Sequence, residues 1–318
     1  MRRMDELVPA EGSIVILGHV RPDGDCVGSC LAAYNYFRKE DPGRDVRLVL
    51  EPFDPSFGIL CGSEGVTDDF LQAPADICLC LDASDRERLG KGAALFDAAG
   101  LTVCIDHHHT NEGYADRNVI DGEISSTAEL LESLLPAEKI DRDIAECLYL
   151  GIVHDTGCFK HSNTSRRTME TAGRLLEYGV SSSKIIDETF FRTTYVQNKL
   201  LGKALLKAEL YLSGKMIVSV ISEAEMEEFG ADSRDLDGIV DQLRVTGGVE
   251  IALFLYELAP GDFKLSMRSC EKVDVSAIAR SFRGGGHVRA AGGSSCEAPE
   301  AIIAQVAAMA EAQMRDFG

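Results

Sequence analysis

The chain has 318 residues, of which 45% are hydrophobic and 26% are charged, so it has enough apolar surface to fold and a length typical of two domains. Its net charge of −20 argues against a protein that holds long nucleic acid along a basic stripe, because phosphate neutralisation carries most of such affinity. The sequence shows neither an apolar run of membrane-spanning length nor a secretion signal. Ten scattered cysteines without a Cys-x-x-Cys pair favour a reducing compartment, so we expect a cytoplasmic protein.

The first half of the sequence alternates short apolar runs with helical patterns. The apolar runs are rich in Val, Ile, Leu and Cys and lack period-2 alternation, which is typical of parallel strands covered by helices on both faces. The predicted strands span residues 13–17, 47–50, 77–81 and 101–105, and the predicted helices span residues 26–39, 126–135, 142–153 and 166–177. We therefore predict an α/β fold with an N-terminal parallel sheet.

The second half has a helical stretch followed by a smaller α/β pattern. Residues 181–210 are helical in pattern and contain no glycine-rich linker. Strands are then predicted over residues 216–221, 249–257 and 263–268, and helices over residues 235–243, 275–282 and 299–314. We therefore expect an N-terminal domain over residues 1–185, a helical connector over 186–212 and a C-terminal domain over 213–318.

Aspartate and histidine side chains follow several of these strands and one helix. The set comprises His19, Asp23 and Asp25 after the first strand, Asp82 after the third, Asp106, His107 and His108 after the fourth, and Asp155 at a helix end. Residues just beyond the ends of parallel strands converge on one crevice. Imidazole with carboxylate suits Mn²⁺, Zn²⁺ or Fe²⁺ better than Ca²⁺, and crowded carboxylates repel each other unless cations bind. We therefore predict two divalent ions about 3.5–4 Å apart, bridged by an aspartate as in phosphoryl-transfer sites.

A glycine-rich segment near the C-terminus is a second candidate site. Gly284, Gly285 and Gly286 precede His287, and consecutive glycines let backbone N–H groups approach an anion closely. His287 and the upstream Arg268 add donors that suit phosphate. The alternative is a flexible loop between a helix and a strand. The segment is neither a P-loop nor a Rossmann fingerprint, and the sequence lacks serine-hydrolase and zincin motifs.

Together these motifs resemble the DHH phosphoesterase family. Asp106-His107-His108 matches the triplet that names the family, and the segment from His19 to Asp25, Asp82 and residues 151–159 match its other motifs. Residues 265–269, 273–279 and 284–292 resemble the associated DHHA1 substrate domain. The likeness covers nearly the whole chain and extends to the NrnA-like subfamily, which degrades very short RNA oligonucleotides and dephosphorylates 3′-phosphoadenosine 5′-phosphate.

The resemblance implies a role for each matched residue. One Mn²⁺ would be held by His19, Asp23 and Asp82, and the other by Asp25, Asp82, His107 and Asp155, with Mg²⁺ or Co²⁺ as alternative ions. Asp82 would bridge the ions, Asp106 would orient an imidazole, and His108 would face the scissile phosphate. Arg268, Gly285, Gly286 and His287 would bind the substrate. No role follows for His109, His154 or His161.

Several alternatives stay open. The same motifs suit a phosphodiesterase for pApA or cyclic dinucleotides, or a manganese inorganic pyrophosphatase, although the Gly-Gly-Gly-His loop belongs to the nucleotide-acting type. A non-catalytic nucleotide sensor would be expected to lack a metal ligand, whereas every expected ligand is present. We expect short oligonucleotides and a nucleotide bisphosphate as substrates, with no long nucleic acid and no membrane partner. The resemblance is compatible with a homodimer formed through the N-terminal domain.

Overall fold

The computed structural model of the protein describes residues 3–316 and divides into two compact units between Arg192 and Thr193. This division lies within residues 186–212, the segment expected to be a helical connector. Among the described residues, no helix combines the length and the apolar character that crossing a bilayer requires.

The N-terminal unit is built on a parallel sheet of six strands, as the unpatterned apolar runs predict. Its strands are β1 (Ile14–Leu17), β2 (Val46–Val49), β3 (Val66–Thr67), β4 (Ile77–Leu81), β5 (Leu101–Asp106) and β6 (Arg117–Ile120), in the order β3-β2-β1-β4-β5-β6. Every residue of the central strands β1 and β4 is buried, because helices cover both faces. The sequence analysis missed β3 and β6, which are short edge strands without an apolar run.

Helices pack on both faces of this sheet and make two apolar layers. They are α1 (Met4–Leu7), α2 (Gly24–Glu40), α3 (Ala93–Ala98), α4 (Thr127–Leu134), α5 (Arg142–Asp155), α6 (Arg166–Glu177) and α7 (Ser182–Ile186), and a π-helical turn spans Asp187–Phe191. The larger layer joins α2, α4 and α5 to Leu79 and Ile105 of the sheet. The smaller layer places Phe96 of α3 against Val15 and Cys80 on the opposite face.

Helix α2 is the central helix of the larger layer. It begins where the carboxylate of Asp23 accepts the N–H groups of Asp25 and Cys26, and its residues 24–37 are all buried. A Cβ atom built on Gly28 would lie 2.5 Å from the backbone oxygen of Cys147, so glycine is required for α2 to approach α5 this closely. The N-terminus of α2 is thereby held at the end of β1, where His19 lies.

The C-terminal unit contains a mixed sheet with helices on both faces. Its strands are β7 (Glu209–Tyr211), β8 (Met216–Ile221), β9 (Ile251–Ala259), β10 (Asp262–Ser269), β11 (Gly285–His287) and β12 (Ala290–Ser295), in the order β11-β12-β10-β9-β8-β7. Its helices are α8 (Tyr195–Lys207), α9 (Glu223–Glu228), α10 (Ile239–Arg244), α11 (Val275–Arg280) and α12 (Pro299–Asp316). Strands β8 and β9 are parallel, and the other neighbouring pairs are antiparallel.

One local prediction for this unit was wrong, and one alternative left open by the sequence does not hold. The helix expected over residues 235–243 is divided into a 3₁₀ turn over Ser233–Leu236 and α10, because Gly238 takes a left-handed conformation with φ of +80°. The glycine-rich segment does not stay a loop: Gly285–His287 pairs with β12 as an edge strand. Glycine-rich strands carry no apolar pattern from which they could be predicted.

The contact between α2 and α5 gives a stability test. We expect Gly28→Ala to lower the free energy of unfolding by about 1–3 kcal/mol, because the added methyl group overpacks a backbone contact. The control is Gly173→Ala in α6, where a Cβ atom meets no heavy atom within 4 Å and where alanine should stabilise the helix by about 0.5–1 kcal/mol. Urea unfolding of the full chain measures both changes, and equal effects of the two substitutions would contradict this packing argument.

Candidate active site

The predicted acidic and imidazole side chains of the N-terminal unit gather at one edge of its sheet. His19 comes two residues after β1, Asp82 directly follows β4, Asp106 ends β5 and is followed by His107 and His108, Asp23 and Asp25 lie at the start of α2, and Asp155 ends α5. These residues lie at the carboxyl ends of the strands, near the point between β1 and β4 where the strand order reverses. Crevices at such a point are the usual ligand sites of open parallel sheets.

The first group of side chains surrounds His19. Its Nε2 atom lies 3.5 Å from Oδ2 of Asp82 and 3.6 Å from Oδ1 of Asp23. These distances are too long for good hydrogen bonds. Two donors that each lie about 2.1 Å from one ion are separated by about 3.0–3.4 Å, so each carboxylate oxygen lies close to the separation from the imidazole nitrogen that a shared ion would impose.

The second group surrounds His107. Its Nε2 atom lies 3.5 Å from Oδ2 of Asp155, 3.6 Å from Oδ1 of Asp82 and 3.9 Å from Oδ2 of Asp25. Asp82 therefore turns Oδ2 toward the first group and Oδ1 toward the second. Both groups join imidazole nitrogen to carboxylate oxygen, a donor set that suits divalent transition-metal ions. The residues present fit two ions that share one carboxylate.

The charges of these groups are strongly coupled because the site is buried. The side chains of Asp25 and Asp82 are only 1% and 3% exposed. Burial and the negative charges of Asp82, Asp155 and Asp23 raise the pKa of Asp25 well above its usual range. Burial also raises the pKa of Asp155 to about 6, against the opposing charge of His107. Protons and divalent cations therefore compete for these carboxylates, because either one reduces the repulsion between their negative charges.

His19 shows the opposite balance of the same forces. Burial alone would lower its pKa, but its contacts with the carboxylates of Asp23 and Asp82 raise the pKa to about 11. A positive charge is therefore favoured at this nitrogen. A metal ion supplies positive charge there and leaves the imidazole neutral, which is the form that binds metals.

The backbone at Asp82 is strained in a way that fits a functional role. Its φ of +59° lies in the left-handed region, which most non-glycine residues avoid but which aspartate and asparagine tolerate. Its N–H donates to the backbone oxygen of Ile105, so the conformation is fixed by the neighbouring strand. Strained residues of this kind concentrate at active sites. Here the strain turns the carboxylate between the two groups.

Sequence reasoning missed the residues that support these carboxylates. The N–H groups of Thr127 and Ala128 donate to Asp25 at 2.6 and 2.9 Å, and the hydroxyl of Thr127 donates to Asp82 at 2.9 Å. These donors belong to the first turn of α4, where N–H groups lack partners within the helix. A helix was predicted over residues 126–135, but nothing in its pattern indicated which carboxylates its free donors would bind.

Asp106 and His108 form a hydrogen-bonded pair beside the two groups. Nδ1 of His108 lies 2.8 Å from Oδ1 of Asp106, whose other oxygen accepts a hydrogen bond from Asn111 at 2.7 Å. These partners lower the pKa of Asp106, although burial opposes them. The hydrogen bond that His108 donates to Asp106 raises the pKa of His108. His108 is half-exposed, so its ring is oriented by a buried anion and remains accessible to a ligand.

Two further side chains, Cys26 and His154, lie beside the clustered residues. Cys26, which was not predicted as a site residue, lies with its sulfur within 4.8 Å of ligand atoms of His19 and Asp82, and its position directly after Asp25 was the only signal. His154 is not brought into either group: its Nε2 atom bonds to the hydroxyl of Thr189 at 3.0 Å.

The predicted substrate residues of the C-terminal unit lie on the glycine-rich edge strand β11 and on β10, the third strand from that edge. Strand register pairs Arg268 of β10 with Ala290 of β12, and Ala290 with His287 of β11. Directly paired residues point to the same face, so Arg268 and His287 flank a small alanine. Gly286 and Gly285 precede His287 on β11 and pair with Ala291 and Gly292 of β12. The guanidinium Nε of Arg268 lies 3.2 Å from Asp241, a residue without a predicted role.

Two family models match the chain and divide it between them. The DHH family, N-terminal domain, matches residues 13–152, and the DHHA1 domain matches residues 213–315. The first range includes all the clustered residues except Asp155, and the second includes Arg268 and the glycine-rich edge.

Curated relatives match over most of the chain. The bifunctional oligoribonuclease and PAP phosphatase NrnA of Thermus thermophilus is 31% identical, with 92% of this chain and 87% of the relative covered. The protein of the same name from Bacillus subtilis is 29% identical over 89% of each chain. The cyclic-di-AMP phosphodiesterase PdeA of Listeria monocytogenes is 26% identical over 90% of this chain but only 45% of its own length.

Solved structures agree with these matches. An exopolyphosphatase-related protein from Bacteroides fragilis superposes with a TM-score of 0.82 at 26% identity and covers 94% of this chain and 92% of its own. The exonuclease RecJ bound to manganese has a TM-score of 0.50 at 16% identity over 96% and 92% of the two chains, which shows a shared fold. The chain belongs to the DHH/DHHA1 family of phosphoesterases, and it is a hydrolase.

Proposed function

We propose that the protein hydrolyses short oligoribonucleotides to nucleoside 5′-monophosphates and 3′-phosphoadenosine 5′-phosphate to AMP, with two divalent ions, Mn²⁺ by preference. The proposal rests on the position of Asp82 between the two ligand groups. One of its carboxylate oxygens lies 3.5 Å from Nε2 of His19, and the other lies 3.6 Å from Nε2 of His107. The names of the NrnA relatives supply the substrate class.

The proposed ligand sets follow the two groups. His19, Asp23 and Asp82 would hold one ion, and Asp25, Asp82, His107 and Asp155 would hold the other. Two bound ions would lower the pKa of a water molecule and offset negative charge on the phosphate. Mn²⁺ suits this mixture of oxygen and nitrogen donors, and Mg²⁺ or Co²⁺ are the alternatives. The RecJ exonuclease, which shares the fold, is described as bound to manganese.

The chain's own residues would orient and stabilise the phosphate. We assign His108 as a donor to a non-bridging phosphate oxygen, since its Nδ1 is held by Asp106 and its ring is accessible. Asp106 would act by positioning that imidazole. In the C-terminal unit, Arg268, His287 and the backbone of Gly285 and Gly286 would bind phosphate or ribose groups of the substrate.

The charge of the chain supports a short substrate. A net charge of −20 disfavours attraction of an extended phosphate backbone, so affinity must come from local contacts near the cleaved bond. We therefore propose a cytoplasmic enzyme that acts on oligonucleotides of a few residues and on a nucleotide bisphosphate, without long nucleic acid as partner. A homodimer stays part of this proposal.

A related activity on cyclic or linear dinucleotides is the second candidate, favoured by the similarity to the cyclic-di-AMP phosphodiesterase of Listeria monocytogenes.

We expect a chromatographic panel with Mn²⁺ to show monophosphates from two- to five-nucleotide RNAs and AMP from the bisphosphate, at rates above those for cyclic di-AMP. Fastest turnover of pApA or cyclic di-AMP would support the second candidate. Turnover of pyrophosphate alone would contradict both, and binding without turnover would indicate a sensor.

The bridging role of Asp82 predicts a specific loss. Asp82→Asn keeps the shape and tolerates the left-handed backbone, but it removes the shared charge, so we expect bound Mn²⁺ to fall from two ions per chain to one or none. Hydrolysis should fall by more than about 100-fold, since even loss of a group outside the ligand set typically costs about 10- to 100-fold. Isothermal titration with Mn²⁺ and a dinucleotide assay measure the two effects. The exposed Asp68→Asn is the matched control, and two tightly bound ions in Asp82→Asn would contradict the bridge.

The substrate role of Arg268 predicts a change in KM. Arg268→Ala should raise KM for a dinucleotide by about 10- to 100-fold, because a hydrogen bond to a charged group contributes about 1.5–3 kcal/mol. Binding of Mn²⁺ should not change. Arg234→Ala, which removes an exposed arginine of the same unit, is the control. Unchanged KM in Arg268→Ala would exclude this arginine from the substrate site.

A further inference from the structure

An aromatic surface borders the loop that leads into α2, and the function proposed above assigns it no role. A Cβ atom built on Gly24 would lie 2.2 Å from Cγ of His154, so this imidazole packs directly against the start of α2, between Asp23 and Asp25. The ring of Phe190 comes next, with 5.5 Å between the two ring centroids. Phe190 is therefore one ring away from the backbone of the proposed metal site.

His154 is held in place from two sides. The hydroxyl of Thr189 donates to the backbone oxygen of Ile185 at 2.8 Å, so it accepts from Nε2–H of His154 at 3.0 Å. The ring of Phe57 packs edge-on against the imidazole, with a centroid distance of 5.0 Å and an interplanar angle of 90°. His154 thus serves as a fixed spacer between the loop and the π-helical turn Asp187–Phe191.

The π-helical turn presents two phenylalanines to solvent. Phe190 and Phe191 are 37% and 59% exposed, and their rings meet nearly perpendicular to each other with centroids 5.1 Å apart. The adjacent Glu188 is paired with Arg192 within the same segment. Single-turn π-helical segments in proteins occur frequently at functional sites. Adjacent exposed aromatic rings beside a buried metal-ligand cluster are the arrangement expected of a ligand surface.

We propose that Phe190 and Phe191 form a stacking platform for a nucleobase of the substrate whose phosphate is hydrolysed beside Asp82. The proposal rests on the function proposed above and adds a base-binding subsite to it. Every nucleobase has a π face, so a stacking surface binds any sequence. Stacking also needs no positive charge, which suits a chain with a net charge of −20. The position of the rings beside the proposed metal site favours a nucleobase as the occupant.

Removal of either ring should weaken substrate binding selectively. We expect Phe190→Ala and Phe191→Ala to raise KM for a dinucleotide about 5- to 100-fold, the range that stacking on one aromatic ring provides, with kcat and Mn²⁺ binding unchanged. Phe191→Tyr should keep the wild-type KM. KM for a dinucleotide analogue that lacks both bases should be the same in all variants. Leu176→Ala, which removes a similarly exposed apolar side chain from α6, is the control.

A fluorescence titration detects the contact without turnover. The sequence contains no tryptophan, so Phe191→Trp introduces a single tryptophan, which can be excited selectively over the tyrosines. With divalent ions chelated, an adenine dinucleotide should quench its emission in a saturable way, and the analogue without bases should not. Leu176→Trp, placed on α6, should show no quenching by either ligand.

Three results would overturn the platform. They are an unchanged KM in both alanine variants, an equal rise in KM for the ligand without bases, and a smaller particle size of the alanine variants in light scattering, which would show that the rings pack against a second copy. A wild-type chain that hydrolyses no nucleotide would instead refute the function proposed above. Wild-type hydrolysis together with any of the three results would refute the platform alone.

Discussion

The proposed site depends on carboxylates that are buried close together and whose negative charges repel each other. Burial and the charges of neighbouring carboxylates raise the pKa values of Asp25 and Asp155. A fold retains such a cluster at a cost in stability, which a divalent cation offsets. The two oxygens of Asp82 face different imidazoles, so a single side chain couples the two proposed ion sites.

The parallel sheet brings these residues together because the carboxyl ends of its strands lie side by side. Three strands end at the same edge, and α2 begins there because Gly28 allows it to pack closely against α5. The first turn of α4 then supplies donors that hold Asp25 and Asp82 in place. The rings of Phe57 and Phe190 pack against His154, which contacts Gly24 at the start of α2. Backbone geometry thus fixes the ligands, and side chains on the π-helical turn extend the site toward solvent.

The sequence was sufficient for the features that depend on local pattern. Apolar runs predicted β1, β4 and β5, and the residues after those strands predicted the metal-ligand cluster, because parallel strands share one carboxyl edge. Features that depend on tertiary contacts could not be predicted in this way. The donors of Thr127 to Asp25 and the placement of Cys26 near Asp82 arise from neighbours that are distant in sequence, and the hairpin of Gly285–His287 with β12 carries no apolar pattern. The platform of Phe190 and Phe191 likewise has no sequence motif.

Anomalous X-ray diffraction from Mn²⁺-soaked crystals, collected on both sides of the manganese absorption edge, would locate the ions directly. We expect two anomalous peaks about 3.5–4 Å apart, one on each side of the Asp82 carboxylate, with His19 contacting one and His107 contacting the other. A single peak, or two peaks that do not share Asp82, would contradict this expectation.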